Sequence, residues 1–212
     1  MKTYRYGNEN VDTVLVQLVS DYELSFMEQE YACIQEVLPG KEFLLLGIMI
    51  SDWNEELSPW KAPAVFGKED FGDGAEKTLN DLEQELTAFV NGNRTICLGG
   101  YSLAGLFTLW QAYQKELFQG IAAVSPSVWF PGFLDYARQN TIHVGKIYLS
   151  LGDREHKTRN PVMATVKDNI ETLYCDYRDQ GYGTVLEFNP GNHFQDPWLR
   201  MAKGFIWLLK DE

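Results

Sequence analysis

Cysteine is scarce. The 212-residue chain has three, Cys33, Cys97 and Cys175, far apart and without a C-x-x-C pair. Odd in number and scattered, they exclude a disulfide framework and a zinc-ribbon site, and they read as buried thiols in a reducing compartment, which points to the cytoplasm. Positive charge is also in short supply: Lys and Arg number 18 against 30 Asp and Glu, a formal net charge of −12. Binding a phosphate backbone needs clustered cations to displace counterions, so nucleic acid is excluded as a partner. An anionic membrane surface is excluded on the same ground. Long apolar runs are missing as well. The longest, residues 43–50 (FLLLGIMI), falls far short of the ~20 residues of a spanning helix. Residues 1–10 (MKTYRYGNEN) are polar and lack an apolar segment with a small-residue cleavage site, so no signal peptide is expected. Histidine is limited to His143, His156 and His193, and no ligand-spaced cluster of His and Cys occurs, so neither a metal nor a cofactor is expected.

What is present is a core-forming composition, 45% hydrophobic and 23% charged, over a length that suits one domain. No repeat, linker or low-complexity tract interrupts it. Apolar, β-branched runs at residues 11–19 (VDTVLVQLV), 42–50, 95–99 (TICLG), 121–124, 146–151 (KIYLSL) and 184–188 (TVLEF) predict strands. Between them the spacing predicts helices over 25–38, 75–90, 103–117, 131–139, 160–180 and 198–210. Pro39-Gly40 ends the first of these helices and Asn91-Gly92-Asn93 the second, while Pro161 suits the first turn of the fifth. Residues 51–74, with their Trp, Pro and Gly, read as a long loop. Strands without in/out alternation are buried on both faces. The fold class is therefore α/β, a mainly parallel sheet with helices on both faces. In such sheets chemistry gathers beyond the carboxyl ends of the strands.

Three segments stand in that position. Gly99-Gly100-Tyr101-Ser102-Leu103-Ala104-Gly105 joins a strand to a helix, with small residues two before and two after Ser102. That pattern suits a nucleophile elbow, although it reads G-x-S-x-A rather than G-x-S-x-G. A phosphate-binding loop is the competing reading of Gly100 and Gly105, but Leu106-Phe107 stand where Lys-Ser/Thr would be needed. A plain tight turn also fits. A serine nucleophile needs a base, and the base needs an acid to orient it. His143 precedes its strand, and His156 lies next to the acidic candidates. His193 follows the last strand through Asn189-Pro190-Gly191-Asn192 and is the candidate base. The acid comes from Leu151-Gly152-Asp153-Arg154-Glu155: Glu155 is the first choice and Asp153 the alternative, with a solvated charged loop as the plain reading of both. Ser102, Glu155 and His193 stand in the order Ser, acid, His.

With GGYSLAG, LGDREHKTRNPVM and PGNHFQDPW in that order, the chain resembles the α/β-hydrolase superfamily. Within it, the chain resembles the esterase family that includes siderophore esterases and S-formylglutathione hydrolase-like enzymes. The resemblance covers almost the whole chain. It implies an α/β-hydrolase fold and hydrolysis of a small-molecule ester through an acyl-enzyme; no insertion is long enough for a separate lid domain, so none is expected. It also implies an oxyanion hole. One donor would be the backbone N–H of Leu103. The other comes from the loop after the first strand, where relatives often carry His-Gly. This chain has Ser20-Asp21-Tyr22, which makes Asp21 N–H the candidate. Trp53, Trp60, Trp129 and Trp198 lie near these segments in sequence and are candidate pocket walls for an apolar acyl or aryl group, with core packing as the alternative. Acyl transfer, thioester hydrolysis and a non-catalytic binding role are other uses of the same fold.

Overall fold

The computed structural model describes residues 1–90 and 94–210. The apolar runs pair into a seven-stranded sheet of β1 (Thr3–Gly7), β2 (Thr13–Val19), β3 (Leu44–Met49), β4 (Thr95–Tyr101), β5 (Gly120–Val124), β6 (Lys146–Gly152) and β7 (Gly183–Asn189). The strand order is β1-β3-β2-β4-β5-β6-β7. All neighbours are parallel except β1 and β3. The helices are α1 (Asp21–Leu24), α2 (Met27–Val37), α3 (Trp53–Glu56), α4 (Ala75–Val90), α5 (Leu103–Gln111), α6 (Phe133–Gln139), α7 (Val166–Asp179) and α8 (Pro197–Leu209).

Side chains of the central strands alternate between two apolar layers. Val14, Val16 and Leu18 of β2 join Leu79, Leu82 and Leu86 of α4, Phe107 of α5 and Ile170 of α7. Leu15 and Val19 enter the opposite layer with Met27 and Ile34 of α2 and Met201 and Phe205 of α8. Both faces are thus covered, as a parallel sheet requires.

Several elements depart from the sequence reading. β1 was not expected. Its TYRYG segment is half-exposed and forms the antiparallel edge, so it carries no continuous apolar run. β7 lies at the other edge and is only partly buried. The helix predicted over 25–38 is α2, Met27–Val37, and a separate short helix that was not expected, α1, precedes it, capped by Ser20 through a capping box with Glu23. The predicted loop 51–74 contains α3, capped by Asp52, and a bridge between Ala62 and Phe71. α5 ends at Gln111 rather than 117. Beyond it, Gln119 Oε1 accepts from Ile96 N–H at 2.6 Å. Pro161 is not in the first turn of α7. Asn160 accepts from the N–H groups of Val162 and Met163, and a 3₁₀ turn (Met163–Thr165) leads into the helix. The helix stop assigned to Asn91-Gly92-Asn93 lies outside the described residues.

This topology positions a site. β3 lies on one side of β2, and β4 to β7 extend on the other. The chain leaving β2 and the chain leaving β4 therefore part in opposite directions, and a crevice opens beyond their carboxyl ends. Ser20 and Ser102 flank it.

Candidate active site

Ser102 sits directly after β4 and before α5, with φ 60° and ψ −120°. Few non-glycine residues adopt that backbone, and its cost is carried by the surrounding structure. Bonds on either side hold it: Ser102 N–H donates to Val124 O (3.1 Å), and Ser127 N–H donates to Ser102 O (3.0 Å). The turn is tight enough that a Cβ on Gly100 would lie 2.4 Å from the carbonyl of Ala104. Strand and helix nearly touch there, which is why small residues stand at both places.

Glu155 lies three residues beyond the end of β6 in a turn closed by Glu155 N–H to Gly152 O (3.1 Å). Its carboxylate is divided between two tasks. Oε1 accepts from Gly152 N–H (2.6 Å), Ser125 Oγ (2.7 Å) and Arg200 Nη1 (2.9 Å). Oε2 faces His193 Nδ1 at 2.7 Å. On its other side, His193 Nε2 is 3.0 Å from Ser102 Oγ. Burial alone would raise the Glu155 pKa, but the hydrogen bond and charge of His193, with the donors Ser125 and Gly152, outweigh it. The carboxyl is held below the ordinary value of 4.5 and stays ionised. Asp153, the alternative acid, is turned elsewhere: its Oδ1 accepts from Gly191 N–H at 2.8 Å. It steadies the loop that carries the histidine. His143 is exposed ahead of β6, and the ring nitrogen Nδ1 of His156 is buried without a partner.

Four side chains that the sequence reading passed over complete the arrangement. Arg200 of α8 has a side chain only 2% exposed. Nη1 reaches Glu155, Ser125 Oγ (3.1 Å) and Tyr101 OH (3.3 Å), and Nη2 donates to Pro190 O (3.1 Å) and Asn192 O (2.9 Å). Tyr101, at the end of β4, donates its hydroxyl to His193 O at 2.7 Å. Burial pushes that phenol up to about 12, so it keeps its proton. Ser125 and Ser127 flank Pro126 beyond β5. Ser127 Oγ lies 3.5 Å from Ser102 Oγ. Among the described residues, the non-glycine positions with positive φ are Ser102, Ser125 and Asp196, the last being the residue that caps α8. Strain is concentrated around this one rim. A signal existed for Arg200: it is a cation in register with the apolar stripe of its helix.

No family model and no curated protein matches this chain. Solved structures do. The chain is similar to the siderophore hydrolase EstA from Aspergillus nidulans, with 19% identity over 96% of this chain and 85% of that one, at a TM-score of 0.73. It is similar to an IroE-like serine hydrolase from Shewanella oneidensis, with 17% identity over 98% and 75% of the two chains, at 0.78. The enterobactin esterase FES from Shigella flexneri, solved in the presence of 2,3-di-hydroxy-N-benzoyl-serine, aligns at 17% identity and a TM-score of 0.67, and this chain spans 54% of its length. The fold is the α/β-hydrolase fold. At these identities the likeness is one of architecture.

Within that α/β-hydrolase frame, the N–H of Leu103 is the first of helix α5, and no side chain caps that end. It stands at the positive end of a helix, one residue beyond Ser102. Across the crevice, the capping box of α1 engages the N–H groups of Ser20, Tyr22 and Glu23. Asp21 N–H, the second candidate donor, lies outside that box. Ser20 and Tyr22 line a cleft of about 340 Å³ together with Ser102, His193 and Trp53. A second cleft of about 450 Å³ meets the first at Ser102 and His193. Its walls include Trp53, Phe66, Trp129, Met163, Val166 and Phe194. The structure thus separates the four tryptophans. Trp53 and Trp129 wall the clefts. Trp60 does not: it donates to Pro131 O (2.9 Å) and packs on Phe130 and Tyr136. Trp198 borders a small void beside Glu30, away from Ser102. Core packing claims Trp60, while Trp198 is half-buried at the start of α8; proximity along the chain gives no direction.

Proposed function

We propose that this protein is a serine carboxylesterase acting on small uncharged esters, with Ser102 as nucleophile, His193 as base and Glu155 as the acid that orients it. The observation that carries the reading is the unbroken chain Glu155 Oε2, His193 Nδ1, His193 Nε2, Ser102 Oγ, with steps of 2.7 and 3.0 Å, ending on a strained turn beside a helix N-terminus. With the ring proton on Nδ1 and shared with Glu155, Nε2 accepts the Ser102 proton as Oγ bonds to the ester carbon. The carbonyl π pair moves onto oxygen, where Leu103 N–H and Asp21 N–H receive it. Collapse expels the alcohol oxygen, which takes the proton from Nε2. Water then repeats the sequence on the acyl-enzyme, releasing the acid and restoring Ser102. Glu155 remains ionised throughout and stabilises the imidazolium.

Two aromatic-walled clefts meeting at Ser102 give room for an acyl part and an alcohol part. No Lys or Arg lines either, among the described residues, so no permanently charged side chain there compensates a substrate anion. The expectation of buried thiols holds for Cys97 alone, since Cys33 is half-buried and Cys175 exposed; all three are free, and a reducing compartment such as the cytoplasm is part of this reading. Among the described residues no helix is long and apolar enough to cross a membrane. The test is hydrolysis of 4-nitrophenyl butyrate and labelling by a fluorophosphonate. Wild type is expected to do both, and Ser102→Ala to lose on the order of 10³-fold or more in kcat/KM and all labelling. Equal rates in the two proteins would reject Ser102. A wild type inert to both reagents would favour a binding role.

A further inference from the structure

We propose that Arg200 is the positioning residue of this site: its guanidinium holds Glu155 by the oxygen turned away from His193 and pins the loop that carries His193, so that the base keeps its register with Ser102. This rests on the triad reading above and extends it to a residue on a different element. Arg200 reaches two segments from a third element, and so adds to the direct links between them at Glu155–His193 and Asp153–Gly191. Through Nη1 it reaches the chain leaving β6 at Glu155 (2.9 Å). Through Nη2 it holds two backbone carbonyls of the loop leaving β7, Pro190 at 3.1 Å and Asn192 at 2.9 Å. His193 is the next residue along that loop. The planar fork of a guanidinium fits this double task, whereas an ammonium has no such fork.

The charges around the pair are few. Glu155 is faced by Arg200 from α8, by His193 from the loop after β7 and by the neutral phenol of Tyr101 from β4. Ser125, after β5, donates a hydroxyl to it. Asp153, on its own turn, is directed to Gly191 N–H. Arg200 is therefore the fixed cation against the carboxylate, and the net charge that His193 meets beyond its Nδ1 is close to zero. Without it, the unopposed carboxylate favours the imidazolium, and the base is lost to protonation at higher pH.

The experiment compares wild type, Arg200→Met and Arg200→Lys with 4-nitrophenyl butyrate across pH 5 to 9, after circular dichroism has established that each variant folds. Arg200→Met is expected to lose on the order of 10²-fold in kcat with KM within about threefold, because the group acts on the base and not on the ester. Its acidic limb of kcat/KM should move to higher pH by ~0.5 units or more. Arg200→Lys should keep the limb in place by retaining charge, and still lose about tenfold in kcat because it cannot bridge both carbonyls. A folded Arg200→Met with kcat within twofold of wild type and an unmoved limb would overturn the proposal. Removing a buried charge partner is costly to folding. If Arg200→Met does not fold, Arg200→Lys decides: wild-type kcat in it would overturn the proposal equally. Failure of wild type to label at Ser102 would remove the triad reading itself, whereas normal labelling with unaffected Arg200 variants would remove only the role given to Arg200.

Discussion

Two carboxylates stand two residues apart after β6, and they meet different partners. Glu155 Oε2 lies against the imidazole, while Asp153 Oδ1 lies on the backbone of Gly191. A residue that orients the base and stabilises its cation contributes far more than one that anchors a loop by one hydrogen bond. Glu155→Gln is therefore expected to lower kcat on the order of 10³-fold or more, since the amide no longer enforces the tautomer. Asp153→Asn should cost less than about tenfold, the range of one hydrogen bond. Steady-state kinetics of both variants on one ester checks this, and a larger loss from Asp153→Asn would reverse the assignment. The difference between the two acids was legible in the sequence only as a preference. The resemblance to α/β-hydrolases, in which the acid usually stands three residues after the glycine, favours Glu155, but the bond from Gly191 N–H to Asp153 depends on where the loop after β7 returns.

At the scale of an element, the α2–α8 face of the sheet hides an ionisable group that takes no part in the chemistry. Glu30 of α2 is 1% exposed, and its partner is Gln17 of β2, through a 3.3 Å bond to Oε2; its Oε1 has no partner. Burial holds its pKa well above the ordinary value of 4.5, against the smaller opposing effect of the Gln17 bond. A group with a raised folded pKa contributes stability that is fully present below its unfolded pKa and is lost as pH rises through the folded value. Glu30→Gln keeps the shape and cannot ionise. Its stability relative to wild type should grow from pH 4.5 upward, by ~1 kcal/mol or more once past the folded pKa. Urea unfolding at pH 4.5 and pH 8 measures this, and a difference independent of pH would show that Glu30 ionises freely. Elements differ in how plainly the sequence announces them. The central strands are apolar runs because both faces are covered, so β2, β3, β4 and β6 could be read directly. β1 could not, because an edge strand half in solvent has no such run. The end of α5 was hidden too: Tyr113 and Phe118 are buried beyond it, so apolar character continues where the helix does not. Arg200 was missed for the converse reason. A cation in a helix ordinarily marks the solvent face, and only the return of two distant loops gives it partners inside.

The whole molecule carries a formal charge of −12, and the two clefts that meet at Ser102 contain no Lys or Arg among the described residues. These facts act at different ranges. The net charge repels an anion on approach, and that repulsion is screened by salt. The cleft walls, largely aromatic and with the Glu23 carboxylate among them, penalise the same anion after it enters, because it loses water and gains no Lys or Arg partner; salt does little to relieve that desolvation cost. A matched pair of esters separates the two: 4-nitrophenyl butyrate and its analogue ending in a carboxylate, 4-nitrophenyl hemisuccinate. The neutral ester is expected to exceed the anionic one in kcat/KM by about tenfold or more. Raising ionic strength from about 0.01 M, where the screening length is ~30 Å, to about 0.15 M, where it is ~8 Å, should narrow the gap without closing it. A gap that closes fully would place the whole selectivity in the long-range field. An anionic ester turned over as fast as the neutral one at low salt would mean that a cation reaches the clefts during turnover, and the preference for uncharged substrates would then be withdrawn.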